Sequence, residues 1–410
     1  MLYTFFDMQS AALGPMRAMS ELTKTYFNNP LFPISQTYMG KIMAAGADVV
    51  EGVIRHRGKP EWGFQAIKKD DGIHPIDLAL IDHKPFADLI RFKCDLAKNP
   101  KKILLVAPMS GHFATLLRGT VQTLVQDHEV YVTDWKDASK VPNSEGDFGL
   151  DDYIQYLIDY MQLLGPDLHV MAVCQPAPLV LAAVSILAAN DDPSQPRTMT
   201  LMGGPVDAGA AETGVTKLAD SKSLSWFKSN LTASVPLHYE GSGRRVYPGF
   251  LQLAAFISMN SARHVNAHMQ HFDNLVKGDG DSAESHDKFY DEYLSVMDIT
   301  AEFYLDTIEH IFQERSLPSG TMVWKGQKVD PSKITKTALL TVEGELDDIS
   351  APGQTEAAHK MCSSLAKNKH QNHVEKDVGH YGIFNGRKWR ESVSKVINNF
   401  IEKHQGKPQN

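Results

Sequence analysis

The chain has 410 residues, of which 42% are hydrophobic and 22% charged, and its formal net charge is −8. These proportions are those of an ordinary globular protein and exclude a disordered chain, a collagen and a disulfide scaffold. The mild acidity argues against nucleic-acid binding, because counterion release from phosphates needs a field of basic side chains.

Apolar residues at helical spacing predict a helical N-terminal segment over residues 1–65, interrupted by a loop near Asn28 to Pro33. The first residues, MLYTFFDMQS, contain no basic region, and Asp7 interrupts the apolar ones. No secretory signal is predicted, and a cytoplasmic location is expected. Only three cysteines are present, which predicts no disulfide framework and suits a reducing compartment.

Residues 66–205 and 336–405 are predicted to form the core of the protein. Short apolar runs such as 102–107, 168–173 and 338–343 predict strands that are buried on both faces, as in a parallel sheet. Helical patterns alternate with these runs, which predicts an α/β fold with a mostly parallel sheet.

The apolar stretch 169–189 is long enough to resemble a membrane span. Pro176 and Pro178 interrupt it, however, and proline breaks a helix by removing a donor. A buried strand, a sharp turn and a buried helix are predicted instead, with no membrane span.

Residues 206–335 break the alternation of strands and helices. They are rich in aromatic side chains and read as mainly helical, which predicts an inserted cap over the carboxyl edge of the sheet. A flexible polar loop is predicted at residues 277–282, and the tail 406–410 is expected to fray.

Cys174 lies at the end of an apolar strand and just before a helix, within the pentapeptide Ala-Val-Cys-Gln-Pro. In the α/β-hydrolase fold this junction is the nucleophile elbow, usually G-x-S-x-G. Pro176 departs from that pattern but suits the first turn of a helix, whose N-terminus favours the thiolate. A lone cysteine in an apolar strand is usually a core residue, so the assignment depends on the residues that follow.

An acid and a histidine follow in the order that such hydrolases use, nucleophile then acid then histidine. Asp347 comes just after the strand 338–343, and His380 follows a predicted strand at 372–377. Cys174 would attack an acyl carbon, His380 would move the protons and Asp347 would orient the imidazole. Asp348 competes for the third role; Glu343 and Glu345 are weaker candidates.

An oxyanion hole needs two N–H donors. The backbone of Gln175, the residue after the nucleophile, is predicted to supply one. The loop after the strand 102–107 is predicted to supply the other, from Met109 or Ser110.

Other chemistry is not predicted. His264, His268 and His271 share one helix face, but no H-E-x-x-H motif or cysteine cluster accompanies them, so a polar or substrate-lining face is favoured over a metal site. No G-x-G-x-x-G or Walker A sequence is present, and no cofactor is expected.

Four segments carry a resemblance to a known family: MLYTFFDMQSAALGPMRAMSELTKTYFNNPLFPIS, the elbow VCQPAP, the acid segment GELDDISAPGQT and the histidine segment GHYGIFNGRKWR. With them the chain resembles the intracellular poly(3-hydroxybutyrate) depolymerases over nearly its whole length. The resemblance implies an α/β-hydrolase fold and hydrolysis of the amorphous storage polyester to 3-hydroxybutyrate and oligomers. It implies a cysteine nucleophile with aspartate and histidine, matching Cys174, Asp347 and His380, and association with the granule surface.

Several alternatives stay open at this stage. A polyester synthase shares the fold and the Cys–Asp–His set, although its elbow typically has glycines where this chain has Gln175 and Pro176. Transfer of the acyl group to coenzyme A, a thioesterase and a non-catalytic granule-coat protein are the others. The sequence also leaves open the chain-length preference, endo or exo attack, the polymer-binding residues and the oligomeric state, a homodimer included.

Overall fold

The computed structural model describes residues 2–55, 57–96, 99–259 and 261–405, so the predicted frayed tail lies outside the described residues. The chain divides into two compact units. One consists of Met1–Pro60 with Pro248–Met297, and the other of Glu61–Tyr247 with Asp298–Asn410. Both units are therefore built from two separate stretches of the chain.

The larger unit contains a nine-stranded sheet. Its strands are β1 (Ala66–Lys69), β2 (Gly72–His83), β3 (Ala87–Cys94), β4 (Lys101–Val106), β5 (His128–Trp135), β6 (Leu168–Val173), β7 (Thr198–Met202), β8 (Ala338–Gly344) and β9 (His370–Glu375). Their order across the sheet is β1-β2-β3-β5-β4-β6-β7-β8-β9. From β5 to β9 all neighbours are parallel, whereas β1, β2 and β3 pair antiparallel at one edge.

Short strand pairs lie outside this sheet. Ala233–Ser234, Arg245–Tyr247 and Ile299–Thr300 form a three-stranded antiparallel sheet, and Val323–Trp324 pairs with Gln327–Lys328.

The α-helices are, in chain order, α1 (Leu2–Asn28), α2 (Tyr38–Ile54), α3 (Arg118–Leu124), α4 (Leu150–Leu164), α5 (Ala177–Ala189), α6 (Gly214–Ser221), α7 (Leu224–Leu231), α8 (Gly249–Met259), α9 (Ser261–Lys277), α10 (Gly280–Tyr293), α11 (Ala301–Asp306), α12 (Ala358–Met361), α13 (Gly386–Lys388) and α14 (Ser394–His404). Two π-helical turns, Thr307–Gln313 and Trp389–Val393, continue α11 and α13.

The predicted fold class is confirmed by the sheet. The central strands β6, β7 and β8 are buried at every residue, as their continuous apolar runs predict. Strand β4 lies between β5 and β6, so the chain adds β5 on one side of β4 and the later strands on the other side. This is the mostly parallel, doubly covered sheet of an α/β-hydrolase fold, and its ligand crevice is expected at the carboxyl ends of the strands.

The division into units differs from the predicted domain boundaries. Residues 248–297 of the predicted insertion belong with the N-terminal helices, while its flanks belong with the sheet. The reason is long-range packing: the ring of Phe250 stacks on that of Phe6, with centroids 4.4 Å apart, and contacts Tyr3 edge-on. A cap over the crevice stays a prediction.

The prediction of a flexible polar loop over residues 277–282 is wrong, because most of these residues are helical. Helix α9 ends at Lys277 and α10 begins at Gly280, which leaves a two-residue turn. Gly278 supplies a positive φ of 78° there, and the Asp279 side chain accepts the Ser282 N–H at 3.2 Å as an N-cap. Among the described residues, no helix has both the length and the apolar composition that crossing a bilayer requires.

Candidate active site

Cys174 lies at a strained turn between β6 and α5. Its φ is +67°, a left-handed conformation that costs a non-glycine residue about 1–3 kcal/mol. The Cys174 N–H donates to the carbonyl of Met202 at 2.7 Å, and the Cys174 carbonyl accepts the Ala177 N–H at 3.1 Å. The turn is therefore held by β7 on one side and by the start of α5 on the other.

Gly203 and Gly204, which follow β7, allow the elbow and its neighbours to approach closely. A Cβ at Gly204 would overlap the side chain of Ala177 and the carbonyl oxygen of Cys174. Gly203 has φ +54°, and a Cβ there would lie 3.3 Å from both Asp347 Oδ2 and His380 Cε1. The sequence reasoning missed both glycines, although their place directly after a buried strand is the signal that could have found them.

His380 and Asp347 form a buried pair. His380 Nδ1 lies 2.7 Å from Asp347 Oδ2, and both side chains are almost fully buried. The other oxygen, Asp347 Oδ1, accepts the backbone N–H groups of Ile349 and Ser350, each at 2.9 Å. The carboxylate is thus fixed in position with one oxygen directed at the imidazole.

The side chain of Cys174 lies near enough to His380 to raise the pKa of that imidazole. Burial alone would lower the pKa of His380. The charge interaction with Cys174 and the hydrogen bond that His380 donates to Asp347 outweigh burial and raise that pKa well above its usual value. The site therefore favours the protonated form of the His380 imidazole.

The other acidic candidates have different positions. Asp348 and Glu345 are exposed. Glu343 is fully buried at the end of β8, where its carboxylate accepts N–H groups from Gly353, Thr355 and Glu356 at 2.8–3.0 Å. Glu343 thus orders the loop after Asp347 rather than facing the histidine, a role that the sequence reasoning missed.

The three predicted oxyanion donors differ in their hydrogen bonds. The Met109 N–H donates to Oε1 of the Gln175 side chain at 2.9 Å. The backbone N–H groups of Gln175 and Ser110 donate no hydrogen bond within the part of the chain that the structure describes. The Gln175 side chain therefore engages one candidate donor while its own backbone offers another.

Taken together, the elements bring the Cys174 thiol near a hydrogen-bonded pair of imidazole and carboxylate, beside free N–H donors. Such an arrangement can activate the thiol for attack on an acyl carbon and stabilise the oxyanion that forms. Within the described residues, the one group of side chains that could ligate a metal is His271, His286 and Asp287 of the smaller unit. Of the three histidines predicted on one helix face, His271 belongs to this group, whereas His264 Nδ1 lies 2.9 Å from the Tyr290 hydroxyl.

Comparison with known proteins identifies the C-terminal half of the chain. Residues 203–405 match the family described as PHB de-polymerase C-terminus. A comparison with curated proteins gives no match.

Solved structures give distant likenesses. The chain is similar to the 2-hydroxy-6-oxo-6-phenylhexa-2,4-dienoate hydrolase from Rhodococcus sp., with 10% identity, 80% of this chain and 99% of that chain covered and a TM-score of 0.45. It is also similar to a monoacylglycerol lipase from Paleococcus ferrophilus, with 14% identity, 78% and 99% covered and a TM-score of 0.44. A thermophilic esterase from Thermogutta terrifontis has 13% identity, 84% and 100% covered and a TM-score of 0.41.

Asp347→Asn is expected to lower the pKa of His380, because an amide removes both the negative charge and the acceptor opposite Nδ1. The measurement is a titration of the His380 ring by NMR in isotope-labelled protein. Asp348→Asn, the exposed neighbour, is the matched control and should leave the titration unchanged. An unchanged His380 titration in Asp347→Asn would contradict the pairing.

Gly204→Ala is expected to lower the free energy of unfolding by about 1–3 kcal/mol, because the new methyl group overlaps Ala177 and the Cys174 carbonyl. Alkylation of Cys174 by iodoacetamide should slow in the same variant, because the elbow must move. Gly14→Ala is the control, since no atom lies within 4 Å of its new Cβ. Equal melting temperatures for the two variants would disprove the close approach.

Proposed function

Because this chain belongs to the PHB de-polymerase family through residues 203–405, we propose that it hydrolyses poly(3-hydroxybutyrate) with Cys174 as its nucleophile. The match to this family supports an ester hydrolase. The choice of nucleophile is supported by one observation above the others: the strained elbow carries a cysteine whose side chain interacts with His380 and raises the pKa of that imidazole. His380 is in turn held by Asp347 at 2.7 Å.

In the first half of the reaction, the Cys174 sulfur attacks the ester carbonyl carbon and its proton passes to His380. The carbonyl oxygen gains negative charge and is stabilised by the backbone N–H of Gln175. The C–O bond then breaks, and the leaving hydroxyl end of the polymer takes the proton from His380. Asp347 stabilises the imidazolium while it holds that proton.

In the second half, His380 removes a proton from water, and the resulting hydroxide attacks the acyl-Cys174 carbonyl. The C–S bond breaks, the acid is released and the proton returns to the sulfur through His380. Met109 can act as a second oxyanion donor when the substrate oxygen replaces Gln175 Oε1 at its N–H. The Gln175 side chain would then hydrogen-bond to the Met109 N–H only while no substrate is bound.

Binding to the granule is proposed for the first two helices. On α1, six large apolar side chains between 45% and 71% exposed recur at intervals of three, four or eight residues and so share one face: Phe5, Met8, Met16, Met19, Leu22 and Tyr26. On α2, Tyr38, Met39, Met43, Val50 and Val53 are exposed in the same way. Exposed apolar faces of this extent are unusual on a monomer and suit contact with an uncharged polyester surface.

Cys174→Ala is expected to abolish release of 3-hydroxybutyrate from native amorphous granules, by a factor on the order of 10⁴ or more, because the covalent route is lost. The measurement is the rate of monomer release, with mass spectrometry of the wild type to find the acyl group on the peptide that contains Cys174. Cys362→Ala is the matched control, since burial raises the pKa of that thiol to about 12 and keeps it inert.

Equal release by wild type and Cys174→Ala would remove Cys174 from the chemistry. If release required added coenzyme A, the acyl group would pass to that thiol instead of water. Formation of polymer from 3-hydroxybutyryl-coenzyme A would instead identify a synthase, and granule binding without any turnover a coat protein.

Replacing Met8, Met19 and Leu22 together by Gln is expected to weaken granule binding at least tenfold, because the apolar face of α1 is removed. The measurement is co-sedimentation with granules. Turnover of a soluble short ester should stay unchanged. The control replaces Leu163, Leu218 and Leu237, exposed apolar residues of the larger unit, by Gln. Equal loss in both triple variants would refute a role for α1.

A further inference from the structure

A histidine-rich cavity lies in the smaller unit, between α2, α9 and α10. Its volume is about 160 Å³. Helix α9 contributes His268 and His271, and α10 contributes His286 and Asp287. None of these residues takes part in the site around Cys174.

The ring nitrogens in this cavity are short of partners. His271 is 3% exposed, and its Nδ1 has no hydrogen bond. The side chain of His286 is 14% exposed, and neither of its ring nitrogens has a hydrogen bond of acceptable geometry. A buried polar atom without a partner costs about 1–3 kcal/mol, so three of them in one place mark a candidate ligand site.

Ligand atoms of three side chains come close together in this cavity. The imidazoles of His271 and His286 stack with centroids 3.9 Å apart and planes within 7°. Asp287 Oδ1 lies 3.2 Å from His271 Nε2 and 3.5 Å from His286 Nδ1. One ligand atom from each of the three side chains lies within 4.8 Å of the others. Histidine and carboxylate ligands bind Zn²⁺ at about 2.0–2.2 Å, so this set must contract and one imidazole must turn out of the stack to direct its in-plane lone pair at the ion.

The surrounding charges do not oppose a cation. Arg55 binds Glu51 at 2.6 Å, and Arg57 binds Asp291 at 2.9 Å, so both guanidinium groups at the cavity are paired.

We propose that His271, His286 and Asp287 bind a divalent transition metal of the Zn²⁺ class, with the remaining position open to water or His268. The ion joins α9 to α10 across their two-residue turn. Its role is structural, and it stabilises the helices by binding only the folded state. The proposal does not depend on the chemistry at Cys174.

The test uses the full chain carrying Cys174→Ala, so that no thiol at the active site competes for metal, and with no affinity tag. Co²⁺ serves as the spectroscopic probe and Zn²⁺ as the competitor. We expect one Co²⁺ per chain with the intense visible bands of a four-coordinate ion, displacement by Zn²⁺ and a higher melting temperature with metal.

His286→Ala and Asp287→Asn, each tested separately, should weaken Co²⁺ binding at least tenfold and abolish the metal-dependent rise in melting temperature. His238→Ala, an exposed histidine of the larger unit, is the control and should change neither. Asp287→Asn keeps the shape of the side chain, so its loss of binding cannot be attributed to misfolding. Absence of stoichiometric binding, or binding that survives both variants, would overturn the proposal.

Discussion

The left-handed backbone at Cys174 is the constraint on which the rest of the active site depends. A non-glycine residue keeps φ near +67° only if its surroundings hold it there. Here the restraint comes from the neighbouring strand, because the carbonyl of Met202 accepts the Cys174 N–H and Gly204 fits directly against the Cys174 carbonyl. Gly203, one residue earlier, leaves room for Asp347 and His380. The end of β7 therefore supports the thiol and, at the same time, the pair that faces it.

Two buried carboxylates on one strand end perform different tasks, and their hydrogen bonds explain the difference. The carboxylate oxygens of Glu343 accept hydrogen bonds from backbone N–H groups within residues 353–356, which holds the loop after β8 in place. Asp347 places one oxygen on the N–H groups of Ile349 and Ser350, which leaves the other for His380. An ordered loop is thus a condition for the imidazole to be oriented, because without it Asp347 would be free to turn away.

The parts predicted from the sequence are those that depend on local pattern. Buried parallel strands are continuous apolar runs, and side chains that follow such strands meet at one edge of the sheet, so the fold and the meeting of Cys174, Asp347 and His380 were predictable. Contacts between distant segments were not. The stacking of Phe250 on Phe6 assigns residues 248–297 to the smaller unit, and His271 finds its neighbours on the next helix rather than on its own. Neither of these two contacts produces a periodic pattern in the sequence of the segments involved.

The departure of this elbow from G-x-S-x-G follows from the same local geometry. Pro176 has φ −72° and ψ −6°, already helical, and it sits where a helix start needs no N–H, so proline is compatible with the turn. The preceding Gln175 keeps its backbone N–H free while its side chain reaches across to the Met109 N–H at 2.9 Å. A glycine at position 175 would have no side chain to accept this hydrogen bond, and the Met109 N–H would be left to water. Gln175 instead ties the loop after β4 to the elbow, so that the two candidate oxyanion donors are held in a fixed relation before any substrate arrives.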